Sequence, residues 1–371
     1  MDLDGLASAE RDRRWRGSFG RAPSLRLRSC ESCLARVREV DGAVQAWAFL
    51  EPEHALAQAR AADELRMSGQ PVGALHGVPI GIKDIIDTAD MPTENGSVLH
   101  AGRTPSRDAS VVSLLRAAGA VIMGKTVTTE FATRTPGKTR NPHDPAHTPG
   151  GSSSGSAAAV AASMVPLALG SQTTGSTIRP ASYCGVYGLK PTHGLIPRHG
   201  MFRLSRTLDH VGLFARSIED IALLCSKSSR LTTSAIPDSR PRARVPYRAV
   251  AAGEPPLAPM FAFVKSSLWD RVDADAREAF AELVAHLGDR VEEVELVTPT
   301  DEVLEWQRGH RRRRDRDQPR AGVGQGTRQS SRPRSAHASS TAARFARWTI
   351  CGPSAAFRVL NASLTEMFEQ R

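Results

Sequence analysis

The sequence predicts an α/β protein in which helices layer against a sheet, and three observations predict it. Short apolar runs that read as buried strands (VPIGIK, AVIMGKT, VPLALGSQ) alternate with Ala- and Leu-rich helical stretches. At DASVVSLLRAAGA a helix feeds directly into the strand AVIMGKT, the succession found in layered folds. The 371 residues are 40% hydrophobic but only 5% aromatic, which suits a core of Ala, Val, Leu and Ile.

Taken in order, the first patterned stretch is SCLARVREVDGAVQAWAFLEP, helical spacing from Ser32 followed by a short apolar strand. Residues 54–67 read as an Ala-rich helix, and VPIGIK as a buried strand. The helix DASVVSLLRAAGA has Asp108 at its start, and AVIMGKT follows as a buried strand. SAAAVAASM is a helix by propensity and VPLALGSQ a further buried strand. TTGSTIRPASYCG reads as a turn-rich loop and VYGLKPTHGLIP as strand-like until Pro and Gly break it. SIEDIALLC is a helix capped by Ser217, with Asp220 at its third position. FAFVKSSLW and VEEVEL read as strands on either side of the amphipathic helix DADAREAFAELVAHLG.

The length allows one large domain or two modest ones. No run of 18 or more apolar residues predicts a membrane span. The N-terminal MDLDGLASAERDRR shows no secretory leader, so the expected location is cytoplasmic. Net charge is +10, but residues 308–347 hold twelve arginines against Asp315 and Asp317, which accounts for all of it. Nothing basic defines the patterned part, and nucleic acid is not an expected partner. The stretch from Arg308 is unpatterned and predicts disorder.

Several motifs have plain readings. The five cysteines (Cys30, Cys33, Cys184, Cys225 and Cys351) are odd and scattered, against a disulfide scaffold; Cys30 and Cys33 form a CxxC without a second pair. GAVIMGKT matches the phosphate-loop pattern but fills its loop positions with a strand run, and a helix precedes it. His143 and His147 have zinc spacing only on a helix, which Pro142 and Pro145 oppose. Asn95-Gly96-Ser97 and Asn361-Ala362-Ser363 match glycosylation acceptors without a leader.

PGGSSSGS, residues 149–156, is by composition a flexible linker. Ser176 is better placed for chemistry. It follows the strand VPLALGSQ, beside Gly175, where successive turn N–H groups can stabilise an oxyanion. A nucleophilic serine needs a base, and no histidine stands in a matched setting. Lys83 is the alternative, since in VPIGIKDII a charged ammonium would be costly; spacing alone favours a strand-end lysine reaching solvent.

The blocks GVPIGIKD, GKTVTTEFA, PGGSSSGSAAAVAA, LGSQTTGSTIRPASYCGVYGLKPTHG and LDHVGLFARSIED, in this order, resemble the amidase signature family over roughly residues 30–225, with a weaker likeness to 307. The resemblance implies an α/β/α layered fold with a mixed central sheet. It implies a serine amidohydrolase in which Ser176 is the nucleophile, Ser152 the bridging residue behind a cis bond from Gly151, and Lys83 the base. Ser153 would support them, and the N–H groups of Thr173, Thr174, Gly175 and Ser176 would form the oxyanion hole. No cofactor or metal is implied.

Ser154 stands where the family commonly has glycine, Gln172 at an aspartate position and Thr174 at a glycine, and the Arg-Pro pair of STIRP falls in another register. These departures resemble the small-amide hydrolase branch more than the family's tRNA-dependent amidotransferases. The expected activity is hydrolysis of a small aliphatic or aromatic amide, or a urea-like compound, to acid and ammonia or amine. The alternatives are the A-type subunit of a glutamine-dependent amidotransferase and an inactive amidase-like fragment. A homodimer is a further expectation.

The expected organisation is an atypical Arg-rich segment at 1–29, the amidase signature domain at 30–307, a basic segment at 308–353 and a family-like remnant at 354–371. Residues 11–29, 226–238 and 308–353 read as foreign to the family texture, as local reading-frame shifts would make them, and the fold as incomplete at its C-terminal end.

Overall fold

The central sheet is made from strands too apolar to leave a face in water. β1 (Trp47–Leu50), β2 (Pro79–Lys83), β3 (Val121–Thr126), β4 (Leu167–Gln172), β5 (Tyr187–Leu189) and β6 (His210–Ala215) lie in the order β1-β3-β2-β4-β6-β5. This computed structural model describes residues 25–229, 247–255, 257–265 and 269–294. β2 runs parallel to β3 and β4, while β1 is antiparallel to β3 and β6 is antiparallel to β4 and β5. The sheet is therefore mixed, as expected. Every residue of β2, β3 and β4 is buried, as strands covered on both faces must be.

Helices supply the two covers: α1 (Leu25–Val44), α2 (Pro52–Met67), α3 (Ser110–Ala117), α4 (Ser154–Ala161), α5 (Ile178–Tyr183) and α6 (Ile218–Ser228). On one face, Ile82, Ile122 and Leu169 share a core with Leu115 of α3 and Leu224 of α6. On the other, Met123, Ala168 and Phe214 share a core with Leu34 of α1 and the alanines of α4. Neighbours such as Ile122 and Met123 fall in opposite cores because strand side chains alternate. The result is the three-layer α/β/α arrangement.

α4 approaches the sheet closely because its first turn is small. A Cβ on Gly155 would stand 2.2 Å from the Ala46 carbonyl oxygen and 2.3 Å from Val127 N. A further helix, α7 (Tyr247–Ala252), adds Tyr247 to the edge of the first core. From Pro255 a second unit begins. In it β7 (Phe261–Val264) and β8 (Val291–Val294) pair in parallel, with α8 (Ala274–Leu287) between them in sequence. Phe263, Trp269 and Phe280 form an aromatic cluster there, with ring centroids 5.3–5.7 Å apart.

Three local readings change. TTGSTIRPASYCG is not all loop: α5 forms within it, since Pro180 falls in the first turn of the helix, where its missing N–H costs nothing. Asp108 does not cap α3; its carboxylate accepts from Ala89 N (2.8 Å) and Arg116 Nε (2.9 Å). β6 arises in LDHVGLFA, where the sequence reading placed no strand. The Ser217 cap is present, its hydroxyl accepting from Asp220 N at 3.2 Å.

α1 takes in residues 25–29 of the Arg-rich segment, and α6 runs through Ser228. The rest of 1–29, residues 230–238, the basic segment 308–353, the stretch 354–371, Cys351 and Asn361 lie outside the described residues. No helix among the described residues is long and apolar enough to cross a membrane.

Candidate active site

Lys83 ends β2 at the centre of the sheet and has no solvent exposure. This corrects the reading of a lysine reaching solvent: the side chain turns into the protein, against the Ser152 turn and Ser171 of β4. Its Nζ donates to Ser152 Oγ at 2.7 Å and to Ser171 Oγ at 2.8 Å. Burial holds the amine well below the ordinary lysine range; the charge of Asp209 opposes this shift and that of Arg179 adds to it.

Ser152 follows a cis Gly151–Ser152 peptide bond, as the resemblance implied. The loop that carries it is tied down on both sides. Ser152 O accepts from Thr129 N at 3.1 Å, and Gly151 O accepts from Arg179 Nε and Nη2 at 3.0 and 2.6 Å. Gly150 has φ +74°, the left-handed backbone that favours glycine. PGGSSSGS is thus an ordered turn into α4, and its linker reading does not hold.

Ser153 is fully buried and couples this turn to β4. Its hydroxyl donates to Ser171 O and accepts from Ser171 N, both at 3.2 Å, and its N–H donates to Ser176 O at 3.3 Å. Gly170 makes room, since a Cβ there would lie 2.7 Å from Ser153 Oγ and 2.6 Å from the Phe214 ring. Ser154, the departure from the common pattern, donates its hydroxyl to Val127 O at 3.3 Å and leaves no polar group stranded.

Thr173, Thr174 and Gly175 form a half-buried bend between β4 and Ser176, which is 7% exposed. Thr173 Oγ1 donates to Asp209 Oδ1 at 2.6 Å. Gln172 Oε1 accepts from Thr177 N at 2.9 Å and Ile178 N at 3.0 Å, so it caps α5 where the family pattern has a carboxylate. No hydrogen bond joins the Ser152 and Ser176 hydroxyls among the described residues. Ser176 meets the Lys83–Ser152 pair through its backbone bond to Ser153.

Sequence reasoning missed Ser171, Asp209 and Arg179. For Ser171 a signal existed: it is a serine near the C-terminal end of a strand otherwise filled largely with Leu, Ala and Gly. The other motifs stay outside the site. Lys125 of GAVIMGKT lies buried in β3 and donates to Ile86 O and Thr93 Oγ1 at 2.6 Å each and to Thr88 Oγ1 at 3.3 Å. His143 Nε2 bonds Cys184 O at 2.9 Å and His147 Nδ1 bonds Asp144 Oδ2 at 2.8 Å. Cys30 and Cys33 are buried, their thiols pushed up to about 12 by burial. No group of three or more His, Cys, Asp or Glu placed to hold a metal occurs among the described residues.

A family model described as Amidase matches residues 28–306. The chain is 46% identical over 200 residues to the A-type subunit of the Glutamyl-tRNA(Gln) amidotransferase of Chloroflexus aurantiacus, a match covering 52% of this chain and 41% of that protein. It is 41% identical over 281 residues to the protein of the same name from Symbiobacterium thermophilum, covering 72% of this chain and 56% of the other. The chain thus spans about half the length of these relatives. Among solved structures, the peptide amidase of Stenotrophomonas maltophilia aligns with a TM-score of 0.69 at 33% identity, covering 80% of this chain and 63% of that one. A 6-aminohexanoate cyclic dimer hydrolase aligns with a TM-score of 0.63 at 32% identity, covering 78% and 60%.

Proposed function

The chain belongs to the amidase family, and on that premise we propose that it hydrolyses a small linear or urea-like amide through an acyl-enzyme on Ser176. The observation that carries this reading is the 2.7 Å contact between the buried Lys83 amine and Ser152. An amine held neutral by burial has a lone pair for a proton, and a serine in contact with it can pass that proton on.

In the proposed reaction Ser176 Oγ attacks the amide carbonyl carbon. Its proton passes to Ser152 while the Ser152 proton passes to Lys83. The oxyanion formed is stabilised by the N–H groups of the Thr173–Ser176 bend. The proton returns by the same route to the leaving nitrogen, the C–N bond breaks, and ammonia or an amine departs. Water then attacks the Ser176 ester and releases the acid, with Lys83 and Ser152 again handling the proton. Atoms balance as amide plus water to acid plus amine, and no cofactor enters.

The small-amide reading is supported by Gln172 and Thr174, where the common pattern has aspartate and glycine. A second reading, the A-type subunit of an amidotransferase, is favoured by the 46% identity to proteins of that name. Ammonia release from a panel of small carboxamides, compared with Ser176→Ala, tests the first. Turnover lost in the variant supports it. Absence of turnover by the purified chain, with ammonia released from glutamine only alongside partner subunits, replaces it with the second.

A further inference from the structure

Asp209 lies just before β6 and is 3% exposed. Both of its carboxylate oxygens are engaged. Oδ1 accepts from Thr173 Oγ1 at 2.6 Å, on the bend that leads to Ser176. Oδ2 accepts from Leu204 N at 2.8 Å and Ser205 N at 2.7 Å, in the loop that precedes Asp209 itself. Its carbonyl accepts from Arg198 Nη1 at 3.0 Å, so the backbone of the residue is also held. Such a carboxylate has its geometry imposed from outside the bend and transmits it inward through one short, charge-assisted hydrogen bond.

We propose that Asp209 is a positioning residue for the hydrolytic site, its carboxylate holding the Thr173–Ser176 bend in place through the Thr173 hydroxyl. The inference rests on the oxyanion-hole reading of that bend. Preorganised N–H donors stabilise a developing oxyanion only if they do not have to move to meet it. Thr173 is half-buried just after β4, and its hydroxyl ties the start of the bend to Asp209, while Ser176 O is held at the other end by Ser153 N.

The same carboxylate also acts on the Lys83 amine through its charge. Asp209 favours the charged form of Lys83, and Arg179 of α5 disfavours it. Removal of the Asp209 charge therefore lets Lys83 lose its proton at lower pH. Charged or titratable groups around the Asp209 loop include Lys190, His193, Arg198, Arg203, Arg206 and His210. His210 is pushed down to about 4, first by burial and then by Lys190, so its titration lies at the acid side of the Lys83 range. The arginines keep theirs throughout.

The test is the rate of covalent labelling by a fluorophosphonate probe from pH 5 to 9, in the full chain and in three variants. Thr173→Val is expected to slow labelling by about 10- to 100-fold, the range a misplaced catalytic group produces, without moving the acid limb. Thr173→Ser recovers most of that loss, because the hydroxyl returns. Asp209→Asn slows labelling and moves the acid limb to lower pH. Should Asp209→Asn fail to fold, the Thr173 pair carries the test alone. Labelling of Thr173→Val at the wild-type rate overturns the proposal. So does labelling of folded Asp209→Asn at the wild-type rate. Wild-type protein that takes no label overturns the hydrolase reading itself, a result distinct from either.

Discussion

Lys83 Nζ stands 2.7 Å from Ser152 Oγ inside a site where both residues are at most 1% exposed. Water cannot stabilise an ammonium there, so burial favours the neutral amine that a proton relay needs. The expected consequence is an activity that rises with pH and reaches its plateau well below the ordinary lysine pKa, about 10.4. Lys83→Met removes the proton acceptor and is expected to lower acylation by about 10²- to 10⁴-fold, the range of general-base catalysis. The fold should persist with a loss of about 1–2 kcal/mol, because two serine hydroxyls lose a buried partner while the cost of burying the amine is removed. Turnover left intact in this variant would rule out Lys83 as base.

Ser171 is the second partner of the amine, at 2.8 Å. Ser171→Ala leaves Lys83 with Ser152 alone and frees it to reorient. Labelling is expected to slow by about tenfold, with roughly 1 kcal/mol lost from stability, the usual net value of a buried hydrogen bond. A rate equal to wild type would show that Ser152 orients Lys83 unaided.

Gly170 faces Ser153 and Phe214 at distances that admit no side chain, 2.7 Å and 2.6 Å from an added Cβ. Gly170→Ala is expected to destabilise the fold by about 1–3 kcal/mol, the cost of overpacking a core. It should also slow labelling by displacing Ser153 from Ser171 and Ser176. Denaturant unfolding and probe kinetics measure the two effects separately.

Arg179 and Asp209 pull Lys83 in opposite directions. Arg179→Met removes a positive charge and is expected to move the acid limb of labelling to higher pH, the reverse of Asp209→Asn. Because Arg179 is exposed, raising the salt concentration should shrink its shift. Equal limbs in Arg179→Met and wild type at low salt would show that Arg179 serves only to hold the Gly151 carbonyl.

Lys125 supplies a pH dependence of stability away from the chemistry. Burial pushes it down to about 8, against an ordinary value near 10.4 in the unfolded chain. The unfolded state binds the extra proton between those values. Stability is therefore full above about 10.4 and falls as the pH drops toward about 8, by roughly 3 kcal/mol. The difference between wild type and Lys125→Met in unfolding free energy should trace that slope from pH 8 to 10.5 and be flat below it.

Much of the fold is legible in the residues because β2, β3 and β4 are covered on both faces and so appear as unbroken apolar runs. β6 escaped notice because His210 and Gly212 interrupt its run, and the glycine is there for a neighbour: a Cβ on it would stand 1.9 Å from Thr177 Oγ1. α5 was hidden by Gly, Ser and Pro around a helix whose cap, Gln172, lies in the preceding strand. Composition made PGGSSSGS a linker, and only the resemblance moved it into the site. The burial of Lys83 could not be read from spacing, since it depends on the Ser152 turn and Ser171, 69 and 88 positions away, packing over the amine. Ser171, Arg179 and Asp209 contribute through contacts with residues 28 to 88 positions away, which no local pattern encodes.

The covalent chemistry at Ser176 is tested most directly by intact-mass and peptide-level mass spectrometry after fluorophosphonate treatment. One adduct per chain is expected, on the peptide bearing Ser176, absent in Ser176→Ala and strongly slowed in Lys83→Met and Ser152→Ala. An adduct on another residue, or folded protein that takes none, would contradict Ser176 as the nucleophile.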